Sequence, residues 1–195
     1  LLKFAASANC AVIAGLPEKS GEHIFNSSIL CKPDGSVEIY RKIHLFWAEK
    51  LIFDPGDLGF PVQKFGNFTI GMMICFDWIF PESARTLALE GAQLVCHPSN
   101  LILPFCPAAM ITRSIENRIS PVTANRIGTE HRTDQSLTFI GCSQIVGPGG
   151  DILASLSENE VGAATAEIDL MTIDKMMTPQ NDVLLDRKPE YYKVK

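Results

Sequence analysis

The 195 residues suffice for one domain with a sizeable core, and 46% hydrophobic with 20% charged residues is the composition of a folded chain, not a disordered one. A formal net charge of −5 supplies no basic surface, which argues against nucleic acid and anionic membranes and favours a small-molecule substrate. No apolar run reaches the roughly 18 residues of a membrane span, no signal-peptide plan opens the chain, and the six cysteines lack metal-site or disulfide spacing, so a reducing cytoplasm is the expected setting.

Residues 1–9 read as the last turns of a helix stopped at Asn9. A domain that opens inside a helix carries the expectation of further sequence upstream of Leu1. Residues 10–16 suit a buried strand closed by Pro17 and a polar turn over 18–22. Residues 25–30 and 37–40 flank Pro33-Asp34-Gly35 and form a hairpin, with Lys42 just past its second strand. A loop with a short helical turn follows over 47–60, then a strand pair, 60–65 and 68–74, around Gly66-Asn67.

The second of these strands ends on Cys75 and passes through Phe76-Asp77-Trp78-Ile79 into a helix beginning at Pro81. Proline suits the first helical turn, Glu82 the positive end of the helix dipole and Gly91 a left-handed stop. Cys75 therefore stands at the C-terminal end of a strand, the edge where α/β proteins bind ligands. A thiol there can have its pKa lowered by a nearby lysine or by helix N–H groups, and the thiolate is the nucleophile.

Beyond it, 93–97 is a strand, and Pro98-Ser99-Asn100 open a proline-rich loop through Pro107. Residues 108–119 have helical spacing, and 122–127, 136–146, 152–156 and 161–169 read as strands. Residues 157–160 form a solvated turn. Residues 181–195, with Tyr191 and Tyr192, are a polar tail without a core of its own. One α/β domain over 1–195, two sheets covered by helices, accounts for the pattern.

Six segments taken in order resemble the nitrilase superfamily of carbon–nitrogen hydrolases: Tyr40-Arg41-Lys42-Ile43-His44-Leu45-Phe46, Pro55-Gly56-Asp57, Ile74-Cys75-Phe76-Asp77 with Phe80-Pro81-Glu82, Glu116-Asn117-Arg118, Ala124-Asn125-Arg126-Ile127-Gly128, and Asn181-Asp182 before Asp186-Arg187. The resemblance spans essentially the whole chain. It implies a four-layer α-β-β-α sandwich, here incomplete at its N-terminus, and hydrolysis of amides, nitriles or carbamoyl compounds without a metal or an organic cofactor. It also implies a Glu-Lys-Cys triad in which Cys75 is the nucleophile and Lys42 the lysine. The triad glutamate lies upstream of the lysine in the family, outside this chain, and Glu18 does not match it. Glu49 matches a second glutamate that follows the lysine, and Asn100 a position lining the pocket. A homodimer or higher homo-oligomer is implied as well, formed through helices next to the Cys75 turn and the 108–119 helix, with C-terminal tails reaching over the partner.

Residue chemistry fills in the roles. Charge developing on the attacked carbon's oxygen or nitrogen requires fixed donors, for which the Lys42 ammonium and the Phe76 backbone N–H are the natural pair. A carboxylic acid then protonates the departing nitrogen and activates water, with Glu49 orienting it. Phe76-Asp77 replaces the Trp-Glu of the true nitrilase branch, and Trp78-Ile79 stands where carbamoyl-amino-acid hydrolases carry arginine. With Leu101, Leu103 and Phe105 these residues suggest a compact apolar pocket for a small aliphatic amide, with small nitriles as further substrates. His44 is expected to be structural, Cys96 and Cys106 core filler, and Arg113 and Glu116 partners of each other. The alternative from another class is a non-catalytic family member that acts as a binding or association module.

Overall fold

The computed structural model describes residues 1–132 and 135–193. Helix α1 (Leu2–Ala8), stopped by Asn9 in the left-handed conformation, leads into an antiparallel sheet of β1 (Val12–Ser20), β2 (His23–Cys31) and β3 (Val37–Arg41) in that order. Strand β1 is half-buried, and it continues through Pro17 and the residues expected to turn; Pro17 is tolerated because β1 is an edge strand.

A second sheet is built from β4 (Val62–Phe65), β5 (Phe68–Met72), β6 (Leu94–Ser99) and β7 (Ser120–Asn125). Strands β8 (Ile127–Arg132) and β9 (Gln135–Ile140) form a separate ribbon, after which β10 (Gln144–Val146) and β11 (Ile152–Ser155) complete the sheet in the order β11-β10-β7-β6-β5-β4. Its centre, β5-β6-β7, is parallel. The crossovers are α2 (Pro81–Leu89) and α3 (Cys106–Asn117).

Two apolar clusters hold these layers. Leu30 and Tyr40 of the first sheet meet Ile70, Met72 and Cys96 of the second. On the other face of the six-stranded sheet, Met73 and Val95 pack with Leu87, Ala88 and Met110 from α2 and α3. With α1 against β1, the result is the helix-sheet-sheet-helix sandwich that the resemblance implied. Gly71 sets one interlayer distance, since a Cβ there would stand 2.8 Å from Leu87 Cδ2. Helix α2 can therefore lie tight on β5, and the turn between them is held short.

The structure corrects several expected boundaries. Strand β6 runs on through Pro98 and Ser99, and α3 begins earlier, with Pro107 in its first turn. The single strand expected over 136–146 is two, because Gly141 and Cys142 both have positive φ (59° and 55°) and break the extended backbone. Strand β8 was not anticipated. Residues 161–169 form no strand; the segment is rich in Gly and Ala, with little side chain to bury, and Val161 is 88% exposed. The tail is better anchored than expected: β12 (Met176–Thr178) pairs with β13 (Asn181–Asp182), and Leu184 packs on the α2/α3 cluster. The tail's last two residues lie outside the described ones.

Candidate active site

The Cys75 turn is a strained piece of backbone held by a buried carboxylate. Ile74 is extended (φ −128°), and Cys75, at φ 44°, opens a single 3-10 turn, Cys75–Ile79. A left-handed conformation at a residue other than glycine costs about 1–3 kcal/mol and persists only where neighbours enforce it. Asp77, fully buried, supplies one such constraint: its Oδ2 accepts the Ile74 N–H at 2.8 Å and the Tyr40 hydroxyl at 2.7 Å, and its Oδ1 lies 2.8 Å from His44 Nδ1. Burial and the neighbouring Asp77 charge keep the Tyr40 phenol protonated, far above its usual titration range. His44 also stacks on Phe80, ring centroids 3.8 Å apart.

Asp77→Ala leaves the Tyr40 hydroxyl and the Ile74 N–H buried without an acceptor. A loss of about 3 kcal/mol or more is expected in denaturant unfolding. A loss below about 1 kcal/mol would show that this network does not hold the turn.

Lys42 is delivered just past β3, where its N–H donates to Asn26 O at 2.8 Å. It is fully buried, and its Nζ donates to Glu49 Oε2 at 2.6 Å. Glu49 sits in the turn Trp47–Leu51 and also accepts the Phe46 N–H at 2.7 Å and the Asn26 side-chain amide at 3.1 Å. Its carboxylate is thus occupied with holding the lysine. Gly56 closes the loop beside it: its N–H donates to Lys42 O at 2.9 Å, and a Cβ on it would collide with Arg41 O.

Burial pushes the Cys75 thiol above its ordinary pKa; the Lys42 charge and the N–H groups of Asn100 and Phe76 pull the other way, and the Glu49 charge adds to the rise. Desolvation wins. The lowered pKa expected from the neighbouring lysine is therefore corrected: burial outweighs the lysine, and the shift is upward. Asn100 and Phe76 line the niche beside Cys75, and the Lys42 charge favours the thiolate.

A narrow apolar niche lies over Cys75, lined by Phe46, Phe76, Trp78, Asn100, Leu101 and Leu103, among others. Of the residues expected at the pocket, Phe76, Trp78 and Asn100 meet there. Phe105 does not; it caps the N-terminus of α3 and is 63% exposed. Phe76 also forms a wall of an adjoining cleft of about 440 Å³, bordered by Ile43, His44, Lys50, Phe53 and Phe80. Cys96 and Cys106 are buried, and Arg113 pairs with Glu116 at 2.7 Å.

Three positions escaped the sequence analysis. Asp77 was quoted in the motif and compared with the glutamate it replaces, but its position three residues past Ile74, the N-cap of the Cys75–Ile79 turn, is that of a capping acid. Asn125 holds the pocket loop, its Oδ1 accepting the Leu101 N–H at 2.8 Å and its Nδ2 donating to Gly141 O at 2.5 Å. His97, buried, has its Nε2 2.8 Å from the Cys75 carbonyl oxygen.

Residues 1–177 match the family model described as carbon-nitrogen hydrolase. The chain belongs to that family. A nitrilase from Pyrococcus abyssi is 46% identical over 193 residues, which cover 98% of this chain and 72% of that protein. The crystal structure of a carbon-nitrogen hydrolase from Helicobacter pylori G27 superposes with a TM-score of 0.86 at 30% identity, covering 97% of this chain and 72% of that one. A glutamate-to-glutamine mutant of the amidase from Nesterenkonia sp. AN1, in which acrylamide has added to the active site cysteine, gives a TM-score of 0.81 at 29% identity, with 97% and 71% coverage. This member of the carbon-nitrogen hydrolases is accordingly an enzyme acting on C–N bonds, with sheets and helices disposed as in its structural neighbours.

Proposed function

We propose that the enzyme hydrolyses small aliphatic amides, and small nitriles secondarily, through a thioester on Cys75. The observation that carries this is the placement of Cys75 at a left-handed turn, lining an apolar niche together with Phe76, Trp78 and Asn100, with the buried Lys42 charge favouring its thiolate. Cys75 Sγ attacks the amide carbon while its proton passes to the acid–base glutamate, which the family resemblance sets upstream of Leu1. Lys42 and the Phe76 N–H hold the resulting oxyanion. The C–N bond breaks as the glutamic acid protonates the nitrogen, and ammonia leaves. Water, losing a proton to the same carboxylate, then adds to the thioester and releases the carboxylic acid and the free thiol. Glu49 is a positioning residue for Lys42, and no metal or organic cofactor takes part. Trp78 and Leu101, both buried, limit the acyl group to a short one. The working unit is a homodimer.

Labelling with acrylamide or iodoacetamide, followed by peptide mapping, is expected to place the first adduct on Cys75. Because the thiol is raised, its labelling rate should keep climbing past the pH at which a free thiol levels off. Cys10 and Cys142 are the other partly exposed thiols, and modification of either ahead of Cys75 would overturn the assignment.

A further inference from the structure

Cys75 has its carbonyl as well as its sulfur fixed, and the group that fixes it comes from the next strand. His97 lies in β6, 1% exposed, with Nε2 2.8 Å from Cys75 O and 3.1 Å from Ser99 Oγ. Its Nδ1 lies 3.1 Å from the Thr123 hydroxyl in β7. A carbonyl oxygen only accepts, so Nε2 must carry the proton; in a neutral ring Nδ1 then accepts, and Thr123 donates. Neutrality follows from position, since burial holds the imidazole uncharged down to about pH 4, with the Lys42 charge working in the same direction and the bond to Cys75 O and the Asp77 charge working against it.

We infer that His97 is a positioning residue for the reaction: its Nε2–H, oriented by Thr123, pins the Cys75 carbonyl and so fixes the left-handed turn that aims the sulfur at Lys42 and at the Phe76 and Asn100 N–H groups. The inference rests on Cys75 being the nucleophile. Asp77 ties the turn from one side through Ile74, and His97 ties it from the other through Cys75 itself. Without the second tie the residue is free to leave φ 44°, and the sulfur swings away from the donors that favour its thiolate. Misplacement of a reacting atom by about 1 Å can cost on the order of 100-fold in rate.

The test is the pH profile of Cys75 alkylation by iodoacetamide, read by peptide mapping on the full chain without substrate. In His97→Leu, labelling of Cys75 at pH 8 is expected to slow about tenfold and its profile to move up by about one pH unit, with circular dichroism and Cys10 labelling unchanged. His97→Gln, whose side-chain N–H can reach the same carbonyl, should recover to within about threefold. If His97→Leu does not fold, Thr123→Val decides: it frees Nδ1 and should shift the profile in the same direction by a smaller amount. A folded His97→Leu with the wild-type profile overturns the inference, as does an unshifted Thr123→Val where His97→Leu fails to fold. Amide hydrolysis that survives Cys75→Ala would instead remove the nucleophile assignment, an outcome separate from the alkylation profile.

Discussion

Cys75→Ala is expected to lower kcat on a short aliphatic amide by at least about 10⁴-fold, the scale for losing a nucleophile whose partners act only through it. Stability should change by less than about 1 kcal/mol. Alanine meets the same strain at φ 44° as cysteine does, and the turn is held by Asp77 and by the Cys75 carbonyl, neither of which the substitution touches. Release of p-nitrophenol from a short-chain ester reads the acylation step separately from turnover, and that burst should vanish too. A variant that keeps its burst with an intact fold would mean that another group accepts the acyl chain. Cys10 and Cys142, the other partly exposed cysteines, are the first to check.

The legible parts of the molecule were those written in local chemistry. Pro33-Asp34-Gly35 can only turn, Pro81 and Gly91 punctuate one helix, and the order of Lys42, Cys75 and Asn100 along the chain survives intact as proximity in space. What stayed hidden depended on partners far away in sequence. Strand β1 crosses Pro17 because, among the described residues, it pairs on one side only, with β2, and a local pattern does not reveal which strand is at an edge. His97 had no partner at recognisable spacing, since Thr123 is 26 residues on and Cys75 is 22 residues back. Phe105 looked like pocket lining by proximity to Asn100, but α3 starts one residue later and turns it outward. The thiol's direction of shift was missed for a similar reason: the lysine is local information, while the burial that outweighs it is a property of the whole sandwich.

Lys42→Met preserves chain length and apolar stem while removing the charge, and kcat should fall by at least about 100-fold, the scale for loss of one oxyanion donor. The fold should survive. Lys42 is fully buried, so its removal also removes a desolvation cost, while Glu49 retains the Phe46 N–H, the Asn26 amide and partial access to water. The thiol supplies an independent readout. Burial raises its pKa, and the Lys42 charge is the largest influence against that rise, so deleting the charge must raise the pKa further and move the alkylation profile to higher pH. Glu49→Gln, which keeps the bonds from Lys42 and Phe46 but removes a negative charge near the sulfur, should move the profile in the opposite direction. An alkylation profile identical in wild type and Lys42→Met would place the ammonium out of reach of the sulfur, and the oxyanion role assigned to Lys42 would fall with it.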